Sequence, residues 1–317
     1  MYERVRPSRA SERVRTVTRK FAAKALLLAK LASLALCVAG ASTRVAAAAG
    51  GDTVVEADAQ KVTNFNAALG SALKRRGVEA GKLCDERDAV SRRVLREYGA
   101  VFLAAGQVLT PRVCIFAGAE DVAAFQAEAQ ALAAEIGGVT VELQPAAMRA
   151  LLAAREEAFA QGLDITPRDG REAARRSYAD TLRLWNSRLL PALEYWTRQG
   201  RLTPQDADRL RTLPAREQVV AVLELESRGI YFSREFSKSI LYSVAAPGSS
   251  QHLSLLAFDV NEYADEEVRK ILSRHGWFRT VRGDSPHFTY LGLPEAQLPA
   301  HGLKKVLTGA GEFWVPN

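Results

Sequence analysis

Residues 145 to 228 repeat their apolar side chains at helical spacing almost without interruption. From residue 229 onward that spacing gives way to short apolar runs bounded by Gly, Pro, Asp or Ser. This switch leaves few architectures open. Helices followed by short strands predict an α+β fold, a small antiparallel sheet in the C-terminal part with helices segregated to one side. The helical stretch comprises "AAMRALLAAREEAFAQG", "REAARRSYADTLRLWNSRLLPALEYWTRQG" with a break or kink at Pro191, and "TPQDADRLRTLPAREQVVAVLELESRG". Strands are expected in "SILYSVAA", "LSLLAFDV", "WFRTVR" and "HFTYLG". Between the second and third, "ADEEVRKILSRHG" predicts one helix with Asp265 as N-cap and Gly276 at its C-terminal end.

Ahead of this region the periods alternate. "NFNAALGSALKRRG" and "DERDAVSRRVLREYG" predict amphipathic helices ending at Gly77 and Gly99. "AVFLAAGQ" and "RVCIF", around Pro111, predict short strands, and so does "VTVELQ". "AEDVAAFQAEAQALAAEIGG" predicts an alanine-rich helix stopped by glycine. With 317 residues and 48% hydrophobic content the chain can bury a full core. The expected organisation is an N-terminal segment 1–47, an N-terminal α/β region 48–144, and a C-terminal domain 145–317 with a helical insertion.

A net charge of +7 suggests an acidic partner until its distribution is considered. Ten of the 43 Lys and Arg residues, but only two of the 36 acids, lie in residues 1–47, which leaves a near-neutral body of 33 basic and 34 acidic residues. Nucleic-acid binding therefore loses its support. The basic start precedes the apolar "ALLLAKLASLALCVAGA" and the small residues "RVAAAAGG", the parts of a secretory signal peptide, with an uncleaved membrane anchor as the alternative. Either way the body is expected to be exported, to a periplasm or cell envelope, with membrane attachment through the N-terminus in the second case. In such an oxidising compartment Cys84 and Cys114 are either a disulfide or two buried thiols.

Chemistry concentrates near the C-terminus. "PGSSQHLSLLAFDV" places His252 and Asp259 seven residues apart, and "GDSPHF" adds His287, although the chain holds only four histidines. Two imidazoles and a carboxylate are a ligand set for a catalytic zinc, which keeps three protein ligands and one open position. Side chains seven apart on a regular strand point to opposite faces, so His252 and Asp259 converge only if the chain bends between them. The structural alternative makes His252 a loop residue, Asp259 a strand end and His287 a core residue. Asp284, three residues before His287, is a candidate general base and acid for water beside such a metal. Trp277 and Tyr290 suit either a substrate groove or the core, and no phosphate-binding glycine loop, CxxC pair or GxSxG elbow is present.

These residues resemble the zinc D-alanyl-D-alanine carboxypeptidases and dipeptidases of bacterial cell walls, which share a fold with the hedgehog signalling domain. The family pattern S-x-H-x-x-G-x-A-x-D is matched by Ser250, His252, Ala257 and Asp259, and the following E-x-x-H by Asp284 and His287. "ARRSYADTLRLW" is similar to the family's Tyr-Arg-Ser-Tyr stretch, with Arg176 in the place of the arginine that meets the substrate. The resemblance covers mainly residues 230–292. Two positions depart from it: Leu255 stands where the family has glycine, and Asp284 where it commonly has glutamate, although the phage endolysin branch uses aspartate. The resemblance implies an exported zinc peptidase acting on peptidoglycan stem peptides, foremost as a D,D-carboxypeptidase. His252, Asp259 and His287 would hold zinc, Asp284 would move protons and Arg176 would orient substrate. A non-catalytic, zinc-containing wall-binding or scaffold protein is the alternative.

Overall fold

Side-chain caps decide where the helices begin. In the computed structural model, which describes residues 64–85 and 87–317, Asn64 caps α1 (Phe65–Arg75) and Asp88 caps α3 (Ala89–Tyr98), each accepting from a first-turn backbone N–H. The short α2 (Ala80–Leu83) lies between them. Ser177 and Asp180 form a reciprocal capping box that starts α6 (Tyr178–Arg198). The helix expected from residue 171 therefore begins later, after a 3-10 turn at Gly170–Ala173 that leaves Arg176 on a non-helical connector. Pro191 lies inside α6 without ending it. The real break comes at Leu213, held extended before Pro214, which separates α7 (Pro204–Thr212) from α8 (Ala215–Ser227).

The alanine-rich segment folds differently from its predicted single helix. α4 (Ala119–Glu128) ends early, and β1 (Leu132–Ile136) pairs antiparallel with β2 (Val139–Leu143) before α5 (Pro145–Ala160). Gly137 and Gly138 both have positive φ, as a tight two-residue hairpin turn requires, so the pair that reads as a helix stop is the turn of a hairpin. Three other expected strands are absent. Residues 99–103 and 240–242 form 3-10 turns, and "RVCIF" is irregular. It is fixed by single backbone bonds, Cys114 N–H to the Leu83 carbonyl at 2.7 Å and Phe116 N–H to the Gly248 carbonyl at 2.9 Å. A short apolar run has the same composition in a buried strand as in a buried turn.

The site rests on a three-stranded sheet in which β5 (His287–Tyr290) lies between β3 (Ala257–Asp259) and β4 (Trp277–Phe278). α9 (Glu266–Arg274) joins β3 to β4, capped by Asp265 and followed by Gly276 at positive φ, as expected; it buries Val268, Ile271 and Leu272. A hairpin of β6 (Leu303–Thr308) and β7 (Gly311–Pro316) completes the chain. The described residues thus form an α+β fold, 49% helical, with small antiparallel sheets.

One apolar core runs across the 144/145 boundary, joining Phe65, Leu69 and Phe102 to Leu151, Phe258, Trp277 and Phe288. A second packs Val90 and Val94 against Trp185, Leu189, Val222 and Phe232. Cys84 and Cys114 form a disulfide. The expected signal or anchor at 1–47 lies outside the described residues, and among those residues no helix is long and apolar enough to cross a membrane.

Candidate metal centre

Two local devices bring the three expected ligands together. Asp259 and His287 are direct partners in the antiparallel β3–β5 ladder, so their side chains share one face of the sheet. His252 reaches the same face because the chain bends as the spacing requires. A 3-10 turn at Gln251–Ser254 is followed by Leu255 at φ 59°, ψ 26°, and β3 starts two residues later. Leu255 thus adopts the left-handed conformation that favours glycine. Its side chain is fully buried against Phe116, Val122 and Phe125.

The donor atoms form a tight triangle. His252 Nε2 lies 3.0 Å from His287 Nδ1, and Asp259 Oδ1 lies 3.2 Å from the first and 3.1 Å from the second. A tetrahedral centre with bonds of about 2.0–2.1 Å has edges of about 3.3 Å. The triangle is therefore the size of one face of such a centre.

The protons point away from it. The Nδ1–H of His252 donates to the Ala174 carbonyl at 3.1 Å, an oxygen that can only accept, which leaves the Nε2 lone pair directed inward. His287 Nε2–H donates to Gln251 Oε1 at 2.8 Å, and the Gln251 amide is oriented by its own Nε2–H donating to the Tyr98 carbonyl at 2.8 Å. The tautomers follow from this network. Two imidazole lone pairs and a carboxylate oxygen then meet with no proton among them, an arrangement that a cation satisfies. The buried His252, Asp259 and His287 group could hold a metal ion.

The electrostatics agree. Burial and the Arg176 charge push the pKa of His252 down to about 4, so the ring stays neutral, as a ligand must.

Asp259 uses its second oxygen for Arg176, whose Nη2 donates to Oδ2 at 2.6 Å while Nε donates to the Glu172 carbonyl at 3.0 Å. Arg176, Asp284 and the three ligand residues line one cavity of about 210 Å³. Asp284 is half-buried, and burial together with the Asp259 charge raises its pKa. Ser250 lines the cavity as well. Trp277 is fully buried and packs on Tyr290 with ring centroids 5.3 Å apart, which puts both aromatics in the core. Gln251 is the participant that sequence reasoning missed; its only signal was its position beside His252. No protein-family model matches the chain, and no curated protein matches it.

Proposed function

We propose that this chain is an exported zinc peptidase acting on peptidoglycan stem peptides, foremost as a D-alanyl-D-alanine carboxypeptidase. The observation that carries this reading is the inward convergence of two imidazole nitrogens and one carboxylate oxygen at the edge of a cavity that also holds Asp284 and Arg176. Its substrate class comes from the resemblance of residues 250–259, 284–287 and 174–178 to the cell-wall peptidases. When bound, zinc supplies Lewis acidity toward a water molecule and a peptide carbonyl.

The chain's own groups divide the remaining work. Asp284 accepts a proton from the attacking water and returns it to the leaving amine; a raised pKa suits a group that must do both near neutrality. Arg176 has Nη2 and Nε committed, which leaves its Nη1 to pair with the carboxylate at the peptide's C-terminus. The same guanidinium keeps Asp259 ionised and in place. The Cys84–Cys114 bridge supports an oxidising compartment, in line with the basic and apolar N-terminal segment.

The test is mass spectrometry of muropeptides incubated with zinc-loaded protein, expected to show release of terminal D-alanine. Asp284→Ala is expected to abolish release while one metal per chain remains bound. Undiminished release by that variant removes Asp284 from the mechanism, and uncut muropeptides with zinc bound favour a wall-binding role without turnover.

A further inference from the structure

The helix α6 forms one wall of the cavity. Thr181, Leu184 and Arg188 all line it, at helical positions i, i+3 and i+7 of a single stripe. Thr181 marks the end near the ligands, since its Oγ1 accepts from the Gly248 backbone N–H at 3.4 Å, four residues before His252. Arg188 lies about 10 Å further along the helix axis at 1.5 Å per residue.

Arg188 differs from the other two guanidinium groups of the cavity. Arg176 is paired with Asp259 at 2.6 Å, and Arg168 with Asp169 at 3.7 Å. Arg188 meets only neutral oxygens. Its Nε donates to Ser243 Oγ at 2.8 Å and its Nη1 to Ser187 Oγ at 2.9 Å, and among the described residues no carboxylate lies within ion-pair distance of it. The side chain is half-buried. Burial and the nearby Arg234 charge lower its pKa, against a smaller opposite effect of Glu235. A partly desolvated guanidinium held by two serine hydroxyls is costly by itself, and a carboxylate supplied by a ligand would offset the cost through charge-assisted hydrogen bonds.

We infer that Arg188 forms a second anion subsite in this cavity, so that the peptide taken carries a carboxylate in addition to the one at its C-terminus. The inference rests on the peptidase reading above for its substrate class. Stem peptides offer two such groups, the α-carboxylate of a γ-linked glutamate and the second carboxylate of diaminopimelate. Ser243 and Ser187 act as positioning residues that aim the fork.

The test is equilibrium binding of two pairs of product tetrapeptides to the zinc-loaded full chain, which needs no turnover. In the first pair, L-Ala-γ-D-Glu-L-Lys-D-Ala carries the glutamate α-carboxylate either free or as a carboxamide. In the second, diaminopimelate replaces lysine, the glutamate is amidated throughout, and only the extra diaminopimelate carboxylate is varied. Wild type is expected to bind one free acid about tenfold or more tighter than its carboxamide, and the pair that shows the preference identifies the carboxylate. Arg188→Met should erase the preference while keeping the affinity for the carboxamide, and Arg188→Lys should restore part of it. Ser243→Ala, which keeps the charge, should weaken it.

Absence of preference in both pairs, or its survival in Arg188→Met, overturns the subsite. A preference that depends on Arg188, in a protein that leaves the matching pentapeptides uncut, keeps the subsite and removes the hydrolase. Cleavage of free-acid and carboxamide pentapeptides with equal kcat/KM does the reverse, and failure to bind any of the tetrapeptides overturns the subsite while the cleavage assay decides the hydrolase.

Discussion

His252 is buried, neutral and bonded to a backbone carbonyl, and each of these properties has a consequence for the protein without metal. Its folded-state pKa of about 4 lies below the 6.5 of the free side chain, so between those values the unfolded chain binds the proton that the folded chain refuses. Stability of the metal-free protein should therefore fall as pH drops from 6.5 toward 4, by a total on the order of 3 kcal/mol at about 1.4 kcal/mol per unit. Asp284 works in the opposite sense, because its raised pKa favours protonation in the folded state. His252→Gln isolates the imidazole contribution. Urea midpoints measured at pH 7 and pH 4.5 should lie closer together in that variant than in wild type, and equal separations would show that His252 does not titrate as its surroundings dictate. At this scale the sequence displayed the candidate ligands openly, since imidazoles are scarce in this chain and their spacing is short. The role of Gln251 was hidden because it depends on Tyr98 and His287, 153 and 36 residues away.

Leu255 shows an element being shaped against the preference of its own residue. A left-handed backbone costs a non-glycine residue about 1–2 kcal/mol, while burying a leucine side chain contributes about 1.5–3 kcal/mol. Burial wins, and the turn that delivers His252 is held by its packing against Phe116, Val122 and Phe125 instead of by a glycine. An unusual ranking follows. Leu255→Ala loses the packing and keeps the strain, whereas Leu255→Gly loses the packing and relieves it. Denaturant unfolding should show both variants destabilised, with the glycine variant the more stable by about 1 kcal/mol; the reverse order would mean that the left-handed turn is not retained. The bend itself could be deduced, because the seven-residue spacing on a strand demanded one. Other elements were less readable for a definite reason. The segments at 99–103 and 240–242 are apolar enough for strands yet close as 3-10 turns, and nothing in their composition distinguishes the two. The β1–β2 hairpin was masked by alanines, and its Gly137-Gly138 turn carries the same residue type as a helix stop.

Across the whole molecule, the order of the chain differs from the order of packing. The segment carrying Cys114 and Phe116 has no ladder of its own, but it bridges distant parts: Cys114 is bonded to Cys84, and the Phe116 N–H reaches the Gly248 carbonyl just ahead of the ligand turn. Gly248 has positive φ, and a side chain there would run into the Phe116 carbonyl, so this close approach requires glycine. The disulfide closes a ring with a sequence separation of 30 residues, which in the chain-entropy account removes about 3–4 kcal/mol of freedom from the unfolded state. The three candidate ligands depend on local geometry instead, the β3–β5 register and the turn at Leu255, neither of which includes a cysteine. The combined change Cys84→Ser and Cys114→Ser should therefore lower the melting temperature by roughly 10 °C, taking 2–4 °C per kcal/mol for a chain of this size. Below the transition, the variant should still bind one metal per chain with near-native affinity. If metal binding is instead lost in a variant that remains folded by circular dichroism, the ring must be holding the ligand turn in shape directly, through Phe116 and Gly248, and the site could no longer be treated as a local product of the sheet.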